Sequence, residues 1–205
     1  MDQQNVILQV KDIVKLQLSE ESTGHDFHHV IAVARNALLI QEREGGDKFV
    51  IELAALLHDI ADSKFNNGDH SVGAQKAKEI LADLDVEQDI IDHVASIIEN
   101  LSFSAKSGKL ATIEGQIVQD SDRLEALGAL GIARCFAYGG KKGSLIYDPQ
   151  NPKGDHSIGH FYYKLLKLKE MFNTKTGAEL AVQRDRFLRD FLEQFLAEWE
   201  GRDFV

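Results

Sequence analysis

Apolar residues along this chain recur at helical rather than strand spacing. Val6, Ile7, Val10, Ile13, Val14 and Leu18 keep a period of three to four residues and predict a helix over about 5–19. Residues 22–26 break the pattern. Asp26 is then placed to cap a helix running to about Glu44, with Val33, Ala37 and Ile40 on its inner side. Gly45-Gly46 ends that helix, and Asp47 caps the next, to about Ala61, whose inner stripe is Val50, Leu53, Ala54, Leu57 and Ala61. Residues 66–69 read as a turn, with Asp69 as the cap of a helix carrying Ala74, Ala77, Ile80 and Leu81. Another follows over residues 86–98 through Ile90, Ile91, Val94 and Ile97, and residues 101–111 read as loop. One helix is predicted over about 113–135, then an irregular segment over 138–157 in which 144–147 is a short strand candidate. Two helices close the chain, over about 158–172 and 177–199. A Thr176/Glu179 capping box opens the second, and Phe187, Leu188, Phe191, Leu192, Phe195 and Trp199 form its packed face. There is no internal repeat. The fold class is all-α, a single compact domain of about eight or more helices spanning residues 1–205.

Composition narrows the class without changing the fold. With 205 residues, 43% hydrophobic and 27% charged, the chain can bury one substantial core. A single cysteine, Cys135, excludes an internal disulfide and fits a reducing cytoplasm. The first residues lack the basic and apolar regions of a signal peptide, and no apolar run approaches the roughly 18–20 residues of a membrane span. A net charge of -10 argues against a long nucleic acid or an anionic membrane as partner. A small phosphorylated substrate needs only a local cluster of cations and remains compatible, as does a homo-oligomer.

Candidate chemistry centres on His58-Asp59, which closes the most apolar helical stretch. An ionisable pair beside a buried face needs compensation, and a divalent metal ion takes imidazole nitrogen and carboxylate oxygen together. His29 aligns with Val33, Ala37 and Ile40 and so borders the buried stripe; His28 aligns with Ala32 and Arg35 on an exposed face. His25-Asp26 precedes the periodic region, where Asp26 reads better as a cap. The stretch from Ile117 to Leu127 carries Asp120 and Asp122 within a half-buried helix, and both carboxylates are candidates. The plain alternative is that these are solvated helix-end residues.

His29, His58-Asp59 and Asp122 together resemble the H…HD…D pattern of the HD-domain metal-dependent phosphohydrolases. The likeness extends over nearly the whole chain. The segment 25–29 is similar to that family's opening, residues 117–128 to its closing aspartate segment, and residues 128–134, 138–140 and 160–169 to a branch of small bacterial members. Some proteins of that branch split a nucleoside triphosphate into monophosphate and pyrophosphate. The resemblance implies one divalent ion on His29, His58, Asp59 and Asp122, manganese first among manganese, magnesium, cobalt, nickel and iron(II). It selects Asp122, which directly precedes the Arg-Leu pair, over Asp120. It also implies that Asp62, three residues after Asp59, handles the attacking water. Members often carry Arg three residues after the first His; Ala32 stands there instead, so one anion contact is absent.

Phosphates call for cations, and Arg123, Lys141, Lys142, His160, Lys164 and Lys167 are the candidates. The glycine-rich segment over 138–157 is long enough for a lid or binding loop. Three readings follow: a nucleotide phosphohydrolase cutting a phosphoanhydride, a phosphodiesterase or nucleotidase, and a helical metal-binding protein without turnover. An acidic residue at Asp62 favours catalysis.

Overall fold

The structure, a computed structural model, describes residues 2–19, 26–61, 71–101 and 110–203. Among them it shows α1 (Gln3–Gln17), α2 (Phe27–Glu44), α3 (Lys48–Leu57), α4 (Ser71–Asp83), α5 (Gln88–Asn100), α6 (Ile113–Glu125), α7 (Gly128–Lys142), α8 (Ser157–Tyr163), a 3-10 helix (Leu165–Met171) and α9 (Lys175–Trp199). No strand occurs among the described residues, so the protein is all-α. No described helix is long and apolar enough to cross a membrane. The described residues divide into two compact units, the first extending to Asp122 and the second beginning at Arg123.

In the first unit α3 is the central helix. All of Phe49, Val50, Ile51 and Leu53 to Leu57 are buried, as a helix apolar on every side requires. It packs against α1, α2 and α5, and α4 packs on α5. Asp26 caps α2 by accepting the His29 N–H at 2.9 Å, and Asp47 caps α3 through the Phe49 N–H at 2.8 Å. The Asp47 N–H in turn donates to Glu114 Oε1 at 2.9 Å, tying the start of α6 to the start of α3. Regular α3 stops at Leu57, short of the expected Ala61. His58 keeps helical dihedrals (φ -60, ψ -32), and the Ile60 N–H bonds Leu57 O at 3.1 Å, so the chain tightens into a turn. The expected cap at Asp69 lies outside the described residues.

The second unit departs from the pattern in several places. The helix expected over 113–135 breaks after Glu125. Gly128 takes φ +66, and a Cβ on Gly131 would lie 2.3 Å from the carbonyl carbon and oxygen of Ala126, a turn that needs glycine at both points. α7 then runs through Gly139 and Gly140 to end at left-handed Gly143. The helix expected over 158–172 is α8 followed by the 3-10 helix, with Lys164 at the joint. Thr174, not Thr176, caps α9, accepting the Gly177 N–H at 3.0 Å, and Phe187 is 52% exposed, outside the packed face.

Residues 144–147 form no strand, but they are fastened down. The Leu145 and Ile146 carbonyls accept the Ser157 and Ile158 N–H groups at 3.0 Å. The Tyr147 ring meets His156, Phe195 and Trp199 edge-on at 5.6, 5.9 and 5.1 Å between centroids. His156 caps α8, its Nδ1 accepting the Gly159 N–H at 2.9 Å.

Candidate metal centre

Caps and the α3 turn bring four side chains of the first unit to one point. His29 projects from the first turn of α2, is 2% exposed, and takes its orientation from the Asp26 cap. His58 and Asp59 leave the tightened turn after α3, and although adjacent residues diverge there, their side-chain ends reach one point, His58 Nε2 lying near Asp59 Oδ2. Asp122 comes from the last full turn of α6.

His29 Nε2 lies 3.4 Å from Asp59 Oδ2 and 3.5 Å from Asp122 Oδ1. His58 Nε2 lies 3.4 Å from Asp59 Oδ2 and 3.9 Å from Asp122 Oδ1. The two imidazoles are edge to face with centroids 5.3 Å apart. These separations are long for hydrogen bonds but match a coordination shell. Donor atoms about 2.1 Å from one ion sit roughly 3.0 Å apart in an octahedron and roughly 3.4 Å apart in a tetrahedron. His29, His58 and Asp59 offer ligand atoms all within 4.8 Å of one another. Asp122, 40% exposed at its side chain, stands at the open side.

The tautomer of His58 fits an ion. Its Nδ1–H donates to Ala55 O at 2.8 Å, which leaves the Nε2 lone pair facing the cluster, buried and without a hydrogen bond of normal geometry. Burial alone would lower its pKa, but the Asp59 charge, helped by Asp122, pushes it up to about 9. Burial likewise opposes protonation of His29, and Asp122 and Asp59 outweigh it, so its pKa is raised. Burial works to raise the Asp122 carboxyl, yet the two imidazoles hold it well below the ordinary carboxylate range. A cluster that draws protons onto both imidazoles has the field to hold a cation in their place. Two nitrogens and two carboxylate oxygens suit a borderline first-row ion or magnesium, and less well calcium, which prefers oxygen throughout.

Asp120 is buried in α6, while the Asp122 oxygen is the one found against the imidazoles. His28 is exposed, and His25 and Asp62 lie outside the described residues. In the second unit Arg123 Nη1 donates to Met171 O. Lys141 and Lys142 end α7, both exposed, with the Lys142 ammonium 5.7 Å from the Tyr138 ring centroid. His160, Lys164 and Lys167 share one stretch across α8 and the 3-10 helix, where Lys167 lies 5.7 Å from the exposed Tyr163 ring.

Two buried carboxylates escaped the sequence reading. Glu125, 1% exposed, is held by Arg134 at 2.7 Å and Arg184 at 3.3 Å, and Arg184 also donates to Leu124 O at 2.6 Å. Asp185, 2% exposed, is held by Arg189 and Lys169. The signal for Asp185 was present: Ala181, Asp185, Leu188 and Leu192 form the buried stripe of α9, and an acid there breaks the apolar pattern.

The family model of the HD domain matches residues 26–127, a range that holds all four clustered side chains. YpgQ of Bacillus subtilis is 40% identical over 199 residues, covering 95% of this chain and 94% of YpgQ. An HD-superfamily hydrolase from Bacillus thuringiensis superposes with a TM-score of 0.79 at 45% identity, covering 97% of this chain and 98% of that one. The structure of YpgQ in complex with ADP superposes with a TM-score of 0.78 at 34% identity, covering 96% of this chain and all of the other (100%).

Proposed function

From the premise that this chain belongs to the HD-domain family of metal-dependent phosphohydrolases, we propose that it hydrolyses a small nucleotide, cutting a nucleoside triphosphate to monophosphate and pyrophosphate. The observation that carries the reading is the buried convergence of His29, His58, Asp59 and Asp122, with His58 Nε2 aimed into it. A divalent ion held there, manganese in this proposal, supplies positive charge against phosphoryl oxygens and eases deprotonation of water. The chain's own residues do the rest. The two imidazoles and two carboxylates hold fixed positions because α2, the α3 turn and α6 hold them. Asp62 takes the proton of the attacking water. Lys141, Lys142, His160, Lys164 and Lys167 bind and orient the phosphate chain, and the whole of residues 1–205 acts as one functional domain in the cytoplasm.

Support for a nucleotide comes from the ADP complex of YpgQ and from the acidic character of the chain, which disfavours a polynucleotide. The test is a screen of nucleoside tri-, di- and monophosphates with manganese, magnesium, cobalt and nickel, resolving phosphate from pyrophosphate by chromatography. Pyrophosphate with a nucleoside monophosphate is the expected product pair. Turnover confined to bis-ester substrates would replace this reading with a phosphodiesterase. Full metal binding without turnover of any of these would leave a non-catalytic metal protein.

A further inference from the structure

Asp185 stands in the inner stripe of α9, where a leucine would serve stability better. Its Oδ2 takes Arg189 Nε at 2.8 Å and Lys169 Nζ at 3.3 Å, while Oδ1 is buried with no hydrogen bond. A carboxylate kept in that state calls for a reason other than packing.

Both of its cations fasten one segment. Lys169 belongs to the 3-10 helix Leu165–Met171, and Arg189 Nη2 also donates to Leu166 O at 3.3 Å. At the far end Arg123 holds Met171 O, and Leu165 and Leu168 are buried beneath. The segment is thus fixed at its beginning, middle and end. Its form matters, because residues three apart eclipse in a 3-10 helix and diverge by about 60° in an α-helix. Lys164, at the head of the segment, and Lys167 are three apart and joined by the Lys167 N–H donating to Lys164 O at 3.0 Å, so the tight winding turns them toward one side, about 120° round from the buried leucines. Isolated runs of 3-10 helix this long are uncommon, and outside contacts must hold them.

We propose that Asp185 is a positioning residue for polyphosphate: through Lys169 and Arg189 it holds Leu165–Met171 in the 3-10 form that sets Lys164 and Lys167 side by side for neighbouring phosphates. The inference rests on the nucleotide reading above. It assigns Arg123 to the same mount, as an anchor for Met171.

The test uses the manganese-loaded full chain, inorganic pyrophosphate as calorimetric probe, and steady-state kinetics on the triphosphate that the wild type cleaves. Asp185→Asn should weaken pyrophosphate binding about tenfold and raise KM by a similar factor, with kcat and manganese stoichiometry unchanged. Lys167→Met should cost about the same, and the double variant no more than either single, because one change acts through the other. Arg189→Leu, at a half-exposed side chain, keeps the Asp185–Lys169 pair and should show the same KM effect; it carries the test if Asp185→Asn does not fold. Unchanged pyrophosphate affinity in Arg189→Leu and any folded Asp185→Asn overturns the proposal, as do losses of Asp185→Asn and Lys167→Met that multiply. A wild type that binds neither pyrophosphate nor any nucleotide overturns the nucleotide reading too, and does so without any variant.

Discussion

Manganese affinity at the four-residue cluster is expected to climb steeply between pH 7 and pH 9. In the metal-free chain the His58 imidazole, which burial alone would make less basic, is pushed up to about 9 by Asp59 and Asp122. A ligating imidazole must be neutral, so below that pH an incoming ion has to displace a proton. At pH 7 the displacement spans about two units, which costs about 2.7 kcal/mol at about 1.36 kcal/mol per unit, or about a hundredfold in apparent Kd. His29 is raised in the same direction and steepens the dependence where it also gives up a proton. The assay is competition with a chelator of known pH-dependent affinity, run on metal-stripped protein in half-unit steps. Apparent Kd should fall about tenfold per unit from His58 alone and level off above about pH 9. His58→Gln removes that proton with the ligand, so its slope should be lower by about one proton and its affinity weaker at every pH. A wild-type Kd that stays flat from pH 7 to 9 refutes the reasoning, since no proton would then be leaving the cluster.

Other consequences follow from the same geometry. His58 has a folded pKa of about 9 against an ordinary 6.5, so its contribution to stability is full below pH 6.5 and lost as pH rises through 9. Metal-free protein should therefore lose roughly 10 °C of Tm across that window by calorimetry, and saturating manganese should abolish the loss. Asp122→Ala should lose manganese by elemental analysis, whereas Asp120→Ala should load fully and show only reduced stability; the reverse result moves the ligand to Asp120. Asp62→Asn should keep metal and nucleotide binding while slowing the chemical step by about 10² to 10⁴-fold, and near-normal turnover would send the search for the base elsewhere.

Local features were legible in the sequence and distant ones were not. The caps Asp26 and Asp47 act within three residues, so reading along the chain finds them. Periodicity separated buried His29 from exposed His28, because a helix fixes which residues share a face. The break after Glu125 was hidden because Leu124, Leu127 and Leu130 keep helical spacing straight through it, although Leu130 is 48% exposed. Thr174 and Thr176 are both sound cap residues, and only the packed structure chooses between them. Among site residues, the convergence of His29, His58, Asp59 and Asp122 depends on three separate elements, and the motif resemblance supplied what spacing could not. Nothing near Glu125 in the sequence marks it as buried, since its partners Arg134 and Arg184 lie 9 and 59 residues away.

The glycine pair at the break reverses a common engineering rule. Replacing a helical glycine with alanine ordinarily stabilises by about 1 kcal/mol, and Gly131 sits near the start of α7, where such a change looks attractive. Here the added methyl would occupy the space of the Ala126 carbonyl, and Gly128, at φ +66, resists any side chain as well. A thermostabilisation campaign guided by helix propensity would choose both positions and lose at both. Saturation mutagenesis of residues 126–131 should return glycine at 128 and 131 while tolerating variety at exposed Ala129 and Leu130 between them.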